Sequence, residues 1–231
     1  MSMNVAGVSS YHSNTGKWMK QLISGKKINS AADDAAGSAI AAKLQSSITT
    51  ANVSSSNYKS QVLKNNVADG AMSGMNSYLS DMTSKSVQSS NDTLSTSDKS
   101  TIYDHMNVMS QGVSSLTGTT YNEQNVISDE TAAAVTNTGY DLSSIESATD
   151  ALYSAMAANG AATNAASHAA NVASITAINT AAALSRTEDA DIAEASVGLS
   201  TSKTLDDVNN AMIKKQMEDQ EDDNKKILGA S

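Results

Sequence analysis

The chain has 231 residues, 24 acidic against 15 basic side chains for a net charge of −9, and no Phe, Pro or Cys. The acidic balance argues against nucleic-acid binding, whose footprint is a basic patch, and the lack of Cys excludes disulfides and thiolate metal sites. Aromatic residues make up only 3%, and much of the apolar content is Ala; a fully buried large apolar side chain contributes about 1.5–3 kcal/mol and Ala far less, so the composition predicts a thin core completed by a partner.

No apolar run reaches the roughly 18 residues of a membrane-spanning helix, so no membrane segment is expected. The first ten residues lack the basic end and apolar stretch of a cleaved secretory signal. That reads as a cytoplasmic protein, or one exported by a route that uses no cleaved signal. The absence of Pro favours long uninterrupted helices.

Taken in order, residues 1–24 are weakly apolar, with Val5, Val8, Trp18, Met19, Leu22 and Ile23. A short helix here is marginal alone, since isolated helices under about 12–15 residues barely form in water. Ser24 to Lys27 reads as a break. Ser30 with Asp33 three residues on predicts a helix start of the capping-box kind, Asp standing in for Glu. One helical face then carries Ala36, Ile40, Leu44, Ile48 and Ala51. The stripe resumes at Leu63, Val67, Ala71, Met75, Tyr78 and Met82, Asn91 to Thr93 forms a turn, and a second helix over 96–115 uses Ile102, Met106 and Met109. Thr117–Tyr121 and Thr136–Tyr140 are expected to pair as a short β-hairpin.

From Leu142 the periodicity is strongest. Ile145, Leu152, Asn159, Ala166 and Ala173 form one seven-residue series. Ala148, Ala155, Ala162, Ala169 and Ala183 form a second, with Thr176 in its gap. Two heptad positions filled by apolar or small residues predict a coiled-coil seam in which Asn159 fixes register. Ser185 with Glu188 predicts another helix start. The last helix carries Ile192, Ala195, Leu199, Leu205, Val208, Met212 and Ile213, then an acidic run over Glu218–Asp223 followed by Lys225 and Lys226.

No chemistry emerges from the titratable residues. His12, His105 and His168 are far apart, and none has a His or Cys at ligand spacing. Gly70 and Gly74 match a GxxxG pattern that in a water-soluble chain means close helix packing. The carboxylate clusters Asp33-Asp34 and Glu188–Asp191 resemble paired acids, but both sit at predicted helix starts, where negative charge complements the helix dipole. The reading is a structural or interaction protein, not an enzyme, with no cofactor and no metal. The Met residues, 11 in number, serve as adaptable packing.

Two segments carry a family resemblance. Residues 28–40 read Ile-Asn-Ser-Ala-Ala-Asp-Asp-Ala-Ala-Gly-Ser-Ala-Ile, and residues 186–194 read Arg-Thr-Glu-Asp-Ala-Asp-Ile-Ala-Glu. They closely resemble the N- and C-terminal signatures of bacterial flagellins, the second usually Arg-Ile-Glu-Asp-Ala-Asp-Tyr. Asp69 to Met72, Asn76, Leu79, Val87-Gln88, Asn159 to Ala161 and Asn164 fit the intervening pattern. Only residues 118–141 stand where the family carries its variable outer domains, so the chain looks like a short form without them.

The resemblance implies a mainly α, elongated antiparallel helical and coiled-coil rod with a small hairpin near its middle. Residues 1–42 and 191–231 would pair as an inner filament-core domain, and 43–190 would form the rod, with 118–141 as a short insert. It implies a structural subunit that self-assembles into the flagellar filament for motility, with the hook–filament junction protein of the same family as the alternative. Implied partners are further copies of the chain, a flagellar export chaperone, the filament cap and hook-junction proteins, with type III export to an extracellular flagellum. The implied assembly residues are Ile28, Asn29, Ser30, Asp33, Asp34, Ile40, Arg186, Glu188, Asp189, Asp191, Leu199, Leu205, Val208 and Met212. The family's usual Leu-Arg is Lys26-Lys27 here, and its amide-rich, apolar C-terminus is replaced by a densely charged one. Flagellins are also sensed by a Toll-like receptor. Asp81 stands where a basic residue is usual, Lys85 where a Leu is, and His105 where an acid is. Like-charge juxtaposition at an interface costs several kcal/mol, so weak or no receptor activation is expected.

Overall fold

The computed structural model describes residues 5–229. Among them the chain is mainly helical, in the order α1 (Val5–Ser24), α2 (Ala35–Ser89), α3 (Thr96–Thr117), β1 (Thr120–Tyr121), β2 (Gln124–Asn125), α4 (Asp129–Thr136), α5 (Leu142–Glu188) and α6 (Ile192–Leu228). It divides into two compact units. Unit 1 runs through Thr49 and resumes at Ala177; unit 2 is Thr50–Thr176.

The helix boundaries follow from capping. The Asp34 carboxylate accepts the Gly37 amide at 2.8 Å, so α2 begins at Ala35 and not at Ser30. With no Pro to interrupt it, α2 then runs for 55 residues. Ser95 and Asp98 form a reciprocal capping box at the start of α3. Asp141 accepts the Ser144 amide at 3.0 Å at the head of α5. α6 starts at Asp191, whose carboxylate accepts the Ala193 and Glu194 amides at 2.9 and 3.1 Å. The start expected at Ser185 is instead the last turn of α5, because nothing there breaks the helix before Glu188.

The hairpin is tighter than its sequence signal suggested. Thr120 pairs with Asn125 and Tyr121 with Gln124. Asn122 and Glu123 make the turn at φ of 50° and 64°, the left-handed pair that a two-residue hairpin requires. Thr136–Tyr140 takes no part, because Ser128 caps a helix that ends at Thr136.

In unit 2, α2 and α5 run antiparallel. Ser55 Oγ donates to the Ala170 carbonyl at 3.1 Å, Asn159 Nδ2 to the Asn65 carbonyl at 2.9 Å, and Ser86 Oγ to the Tyr140 carbonyl at 2.9 Å. One residue number falls as the other rises. The core gathers Ala68, Met72, Met75, Leu79 and Met82 of α2, Ile102, Met106 and Val113 of α3, Ile127, Val135 of α4, and Ile145, Ala148 and Leu152 of α5. The α2 stripe differs from its expected line: Leu63 faces outward and Tyr78 lies partly exposed over Gly112 of α3, while Asn65, Ser86 and Ser89 are buried. On α5 the second heptad series also slips. Ala162 and Ala183 are exposed, Ala166 of the first series is buried as expected, and in place of Ala169 and Thr176 the buried positions are Ala170 and Ala177. That one-residue shift is a stutter, the local unwinding by which a straight helix keeps its seam facing a partner.

In unit 1, α1 and α6 also lie antiparallel. Thr15 Oγ1 donates to Asp206 Oδ2 at 2.8 Å, and the Trp18 ring packs on Gly198, where an added Cβ would sit 2.6 Å from Cε2. Among its described side chains, unit 1 buries Ile28, Ala41, Ala177 and Ala195 together with the polar Gln21 and Ser202.

Candidate assembly interface

The two signature segments meet in unit 1. α1 ends at Gly25, whose φ of +68° is the left-handed helix stop that glycine adopts without strain. Its amide donates to the Gln21 carbonyl at 2.8 Å. The chain then reverses and lays Lys26 against Asp189 as a β-bridge. The Lys27 amide donates to the Glu188 carbonyl at 2.6 Å, and the Ala190 amide to the Gly25 carbonyl at 2.9 Å. Lys26 Nζ reaches Glu188 Oε1 at 2.6 Å. From inside, the buried Gln21 donates through Nε2 to the Lys27 carbonyl at 3.0 Å. The result is a clasp held mainly by backbone hydrogen bonds. Its ion pair is half exposed and worth at most about 1 kcal/mol.

The loop behind the clasp is closed by Asp33. Its carboxylate accepts the Asn29 and Ser30 amides at 3.0 and 2.9 Å and the Ser30 hydroxyl at 3.2 Å. Those amide donors, Asn29 first, hold the Asp33 carboxyl below its ordinary range. Asn29 Nδ2 also donates to the Lys26 carbonyl at 2.9 Å. Ile28 is buried beneath the first turn of α2, where a Cβ on Gly37 would fall 2.6 Å from Ile28 Cδ1. Asp34 and Asp191 are helix caps, and Asp189 accepts the Ser185 hydroxyl.

The remaining expected residues lie elsewhere in unit 1. Ile40 is exposed on α2, and Arg186 is exposed with no ion pair among the described residues. Leu199 is partly buried on α6, whereas Leu205, Val208 and Met212 are exposed by 42%, 50% and 57%. Val208, Ala211, Met212 and the stems of Lys215 and Gln216 line an open apolar hollow of about 470 Å3. In unit 2, Asp81 and His105 are exposed, Lys85 is partly exposed and donates to Gln88 Oε1 at 3.1 Å, and the neighbouring Leu79 and Met82 point into the core.

Sequence reasoning did not find Gln21, Gly25 or Gly37. Gly25 lies in the break that the sequence marked, but its left-handed geometry has no signal beyond the glycine itself. A polar Gln21 inside a weak helix gives no hint that it will be buried. Among the described residues no group of side chains could hold a metal ion, and no helix is long and apolar enough to cross a membrane.

Comparison with known proteins gives one consistent result. Residues 2–132 match the family described as the bacterial flagellin N-terminal helical region. A flagellin of Clostridium tyrobutyricum is 39% identical over 115 residues, which is 49% of this chain and 30% of that protein. A flagellin of Halalkalibacterium halodurans is 33% identical over 114 residues, 49% of this chain and 42% of that protein. The chain spans less than half the length of either relative it matches.

Proposed function

We propose, from the premise that this chain belongs to the bacterial flagellin family, that it is a structural, non-catalytic subunit that self-assembles into the flagellar filament for motility. The observation that carries this reading is the outward face of α6. Leu205, Val208 and Met212 are a helical stripe that in a solitary protein would face a core, and here they face water. Apolar residues rimmed by polar ones mark an interaction surface, and a helical polymer supplies identical neighbours to cover it.

In this reading the clasp between residues 25–34 and 186–191 fixes how α1 and α6 lie against each other within unit 1, so that they present one fixed face to adjoining copies. The inner domain is formed by 1–42 and 191–231 and the rod by 43–190. The subunit works outside the cell, after export with a chaperone on its α6 face and assembly beneath a cap onto the hook junction. Purified protein, dissociated by heat and cooled, should regrow long filaments visible by electron microscopy. Protein that stays monomeric at every concentration contradicts the reading.

The reversed and altered side chains at Asp81, Lys85 and His105 support weak activation of the innate receptor that senses flagellins. A strong reporter-cell response to nanomolar protein contradicts that part of the proposal.

A further inference from the structure

The two limbs of unit 1 carry opposite charge. The limb through Thr49 has five lysines against two aspartates, and the limb from Ala177 has eleven carboxylates against six basic side chains. The positive charge is concentrated. Lys17 and Lys20, one turn apart on α1, and Lys27 from the following loop line a hollow of about 380 Å3. The one carboxylate lining it belongs to Asp33, which accepts the Asn29 and Ser30 amides and is also attracted by Lys17 at a distance beyond an ion pair, one negative charge against three positive. All three lysines are exposed, and no ion pair engages them among the described residues.

The negative charge is concentrated at the other end. Glu218, Asp219, Glu221, Asp222 and Asp223 are all exposed on α6. Lys215, Lys225 and Lys226 pair with Asp219, Glu221 and Asp223. Glu218 and Asp222 have no ion pair among the described residues.

One chain cannot join these two patches. Thr15 lies opposite Asp206 and Trp18 opposite Gly198, so Lys17 and Lys20 face the start of α6. At 1.5 Å per residue, the acidic run is centred about 20 Å beyond Asp206, in the opposite direction. Charges that far apart are screened from each other, since the Debye length is about 8 Å at physiological salt.

We propose that the hollow lined by Lys17, Lys20 and Lys27 is a docking surface for the Glu218–Asp223 stretch of a second copy of this chain. The proposal rests on the self-assembly reading above and adds its chemistry. Copies with a net charge of −9 repel one another at long range, and this is where they attract. Each exposed pair is weak, so the contact acts mainly on orientation and rate of addition.

The test is a charge swap in trans. One full-length variant carries Lys17→Glu, Lys20→Glu and Lys27→Glu; the other carries Glu218→Lys, Glu221→Lys and Asp222→Lys. Growth on wild-type filament fragments is followed by light scattering and electron microscopy, after circular dichroism has matched each variant to wild type. Each variant alone should grow about tenfold more slowly, whereas an equal mixture should recover, because every acidic site then finds a basic one. A neutral variant, Lys17→Gln with Lys20→Gln and Lys27→Gln, keeps only the like-charge repulsion, so its growth should quicken as salt screens it, while wild-type growth slows as salt rises. Single variants that grow like wild type, a mixture no faster than its parts, or a neutral variant that slows with salt as wild type does would overturn the proposal and leave filament growth by wild type untouched. Wild type that never grows overturns the assembly reading itself.

Discussion

Unit 2 and unit 1 are built from the same kinds of helix and both expose apolar side chains, such as Val108 and Val172 in one and Ile23 and Val197 in the other, but only unit 2 also buries large ones completely. Eight large side chains are less than 2% exposed: Met75, Leu79, Met82, Met106, Val113, Val135, Ile145 and Leu152. All of them belong to unit 2. Among the described side chains of unit 1 there is none, and Ile23, Ile40, Val197, Val208, Met212 and Met217 are each more than half exposed or close to it. Burial at about 1.5–3 kcal/mol per large side chain gives unit 2 a core of its own. Unit 1 has alanines, one isoleucine, a clasp of backbone hydrogen bonds and an apolar face turned outward. The lesson is that one part of the chain carries a core of large side chains and the other does not; in the proposed filament, neighbouring copies would cover the second part's outward face.

The sharpest way to break this contrast is to truncate one side chain in each unit. Leu152→Ala should cost about 2–5 kcal/mol of unit 2 stability, as buried Leu truncations do, read from thermal denaturation by circular dichroism. Leu205→Ala should move the dissociated protein by less than about 0.5 kcal/mol, as exposed substitutions do, yet slow filament regrowth. Equal costs at the two sites would erase the distinction.

A smaller effect should come from Gly25. An L-residue in the left-handed region costs about 1–2 kcal/mol, and a Cβ there meets nothing within 4 Å, so Gly25→Ala should act through backbone strain alone. Trp18, the chain's one tryptophan, reports unit 1 by fluorescence. Its transition should shift, while the unit 2 transition stays where it is.

Acid should affect both units, and most gently. Hydrogen bonds from Ser143 and Ser144 lower the Asp141 carboxyl from 3.8 to about 2, and the Asn29 and Ser30 amides lower that of Asp33. A depressed folded-state value means stability that is present above the unfolded value and lost as pH falls through the folded one. The start of α5 should therefore loosen between about pH 4 and about pH 2, and Asp141→Asn should flatten that limb of the profile. An unchanged profile would mean that this cap does not hold α5 in place.

Much of the architecture was legible because it depends on rules the sequence states openly. The absence of Pro gave α2 and α5 their length, and Ile145, Ala148 and Leu152 marked the seam. The α2 seam was misread because half of it is polar. Ser55, Ser86 and Ser89 are buried with their hydroxyls on backbone carbonyls, so a search for apolar residues chose Leu63 and Tyr78 instead. The end of α5 was misplaced because Ser185 and Asp191 are equally good caps in sequence, and only the pairing of residues 188–190 with 25–27 selects the second. The two signature segments were found by resemblance. That they clasp one another is a tertiary fact with no local signal.

Hydrogen exchange of the dissociated subunit against the filament tests the central claim most directly. Amides around Met75 and Leu152 should be protected in both states, whereas those of α6 around Leu205–Met212 should exchange quickly in the subunit and become protected in the filament. Unit 1 amides as slow in the isolated subunit as those of unit 2 would contradict the account.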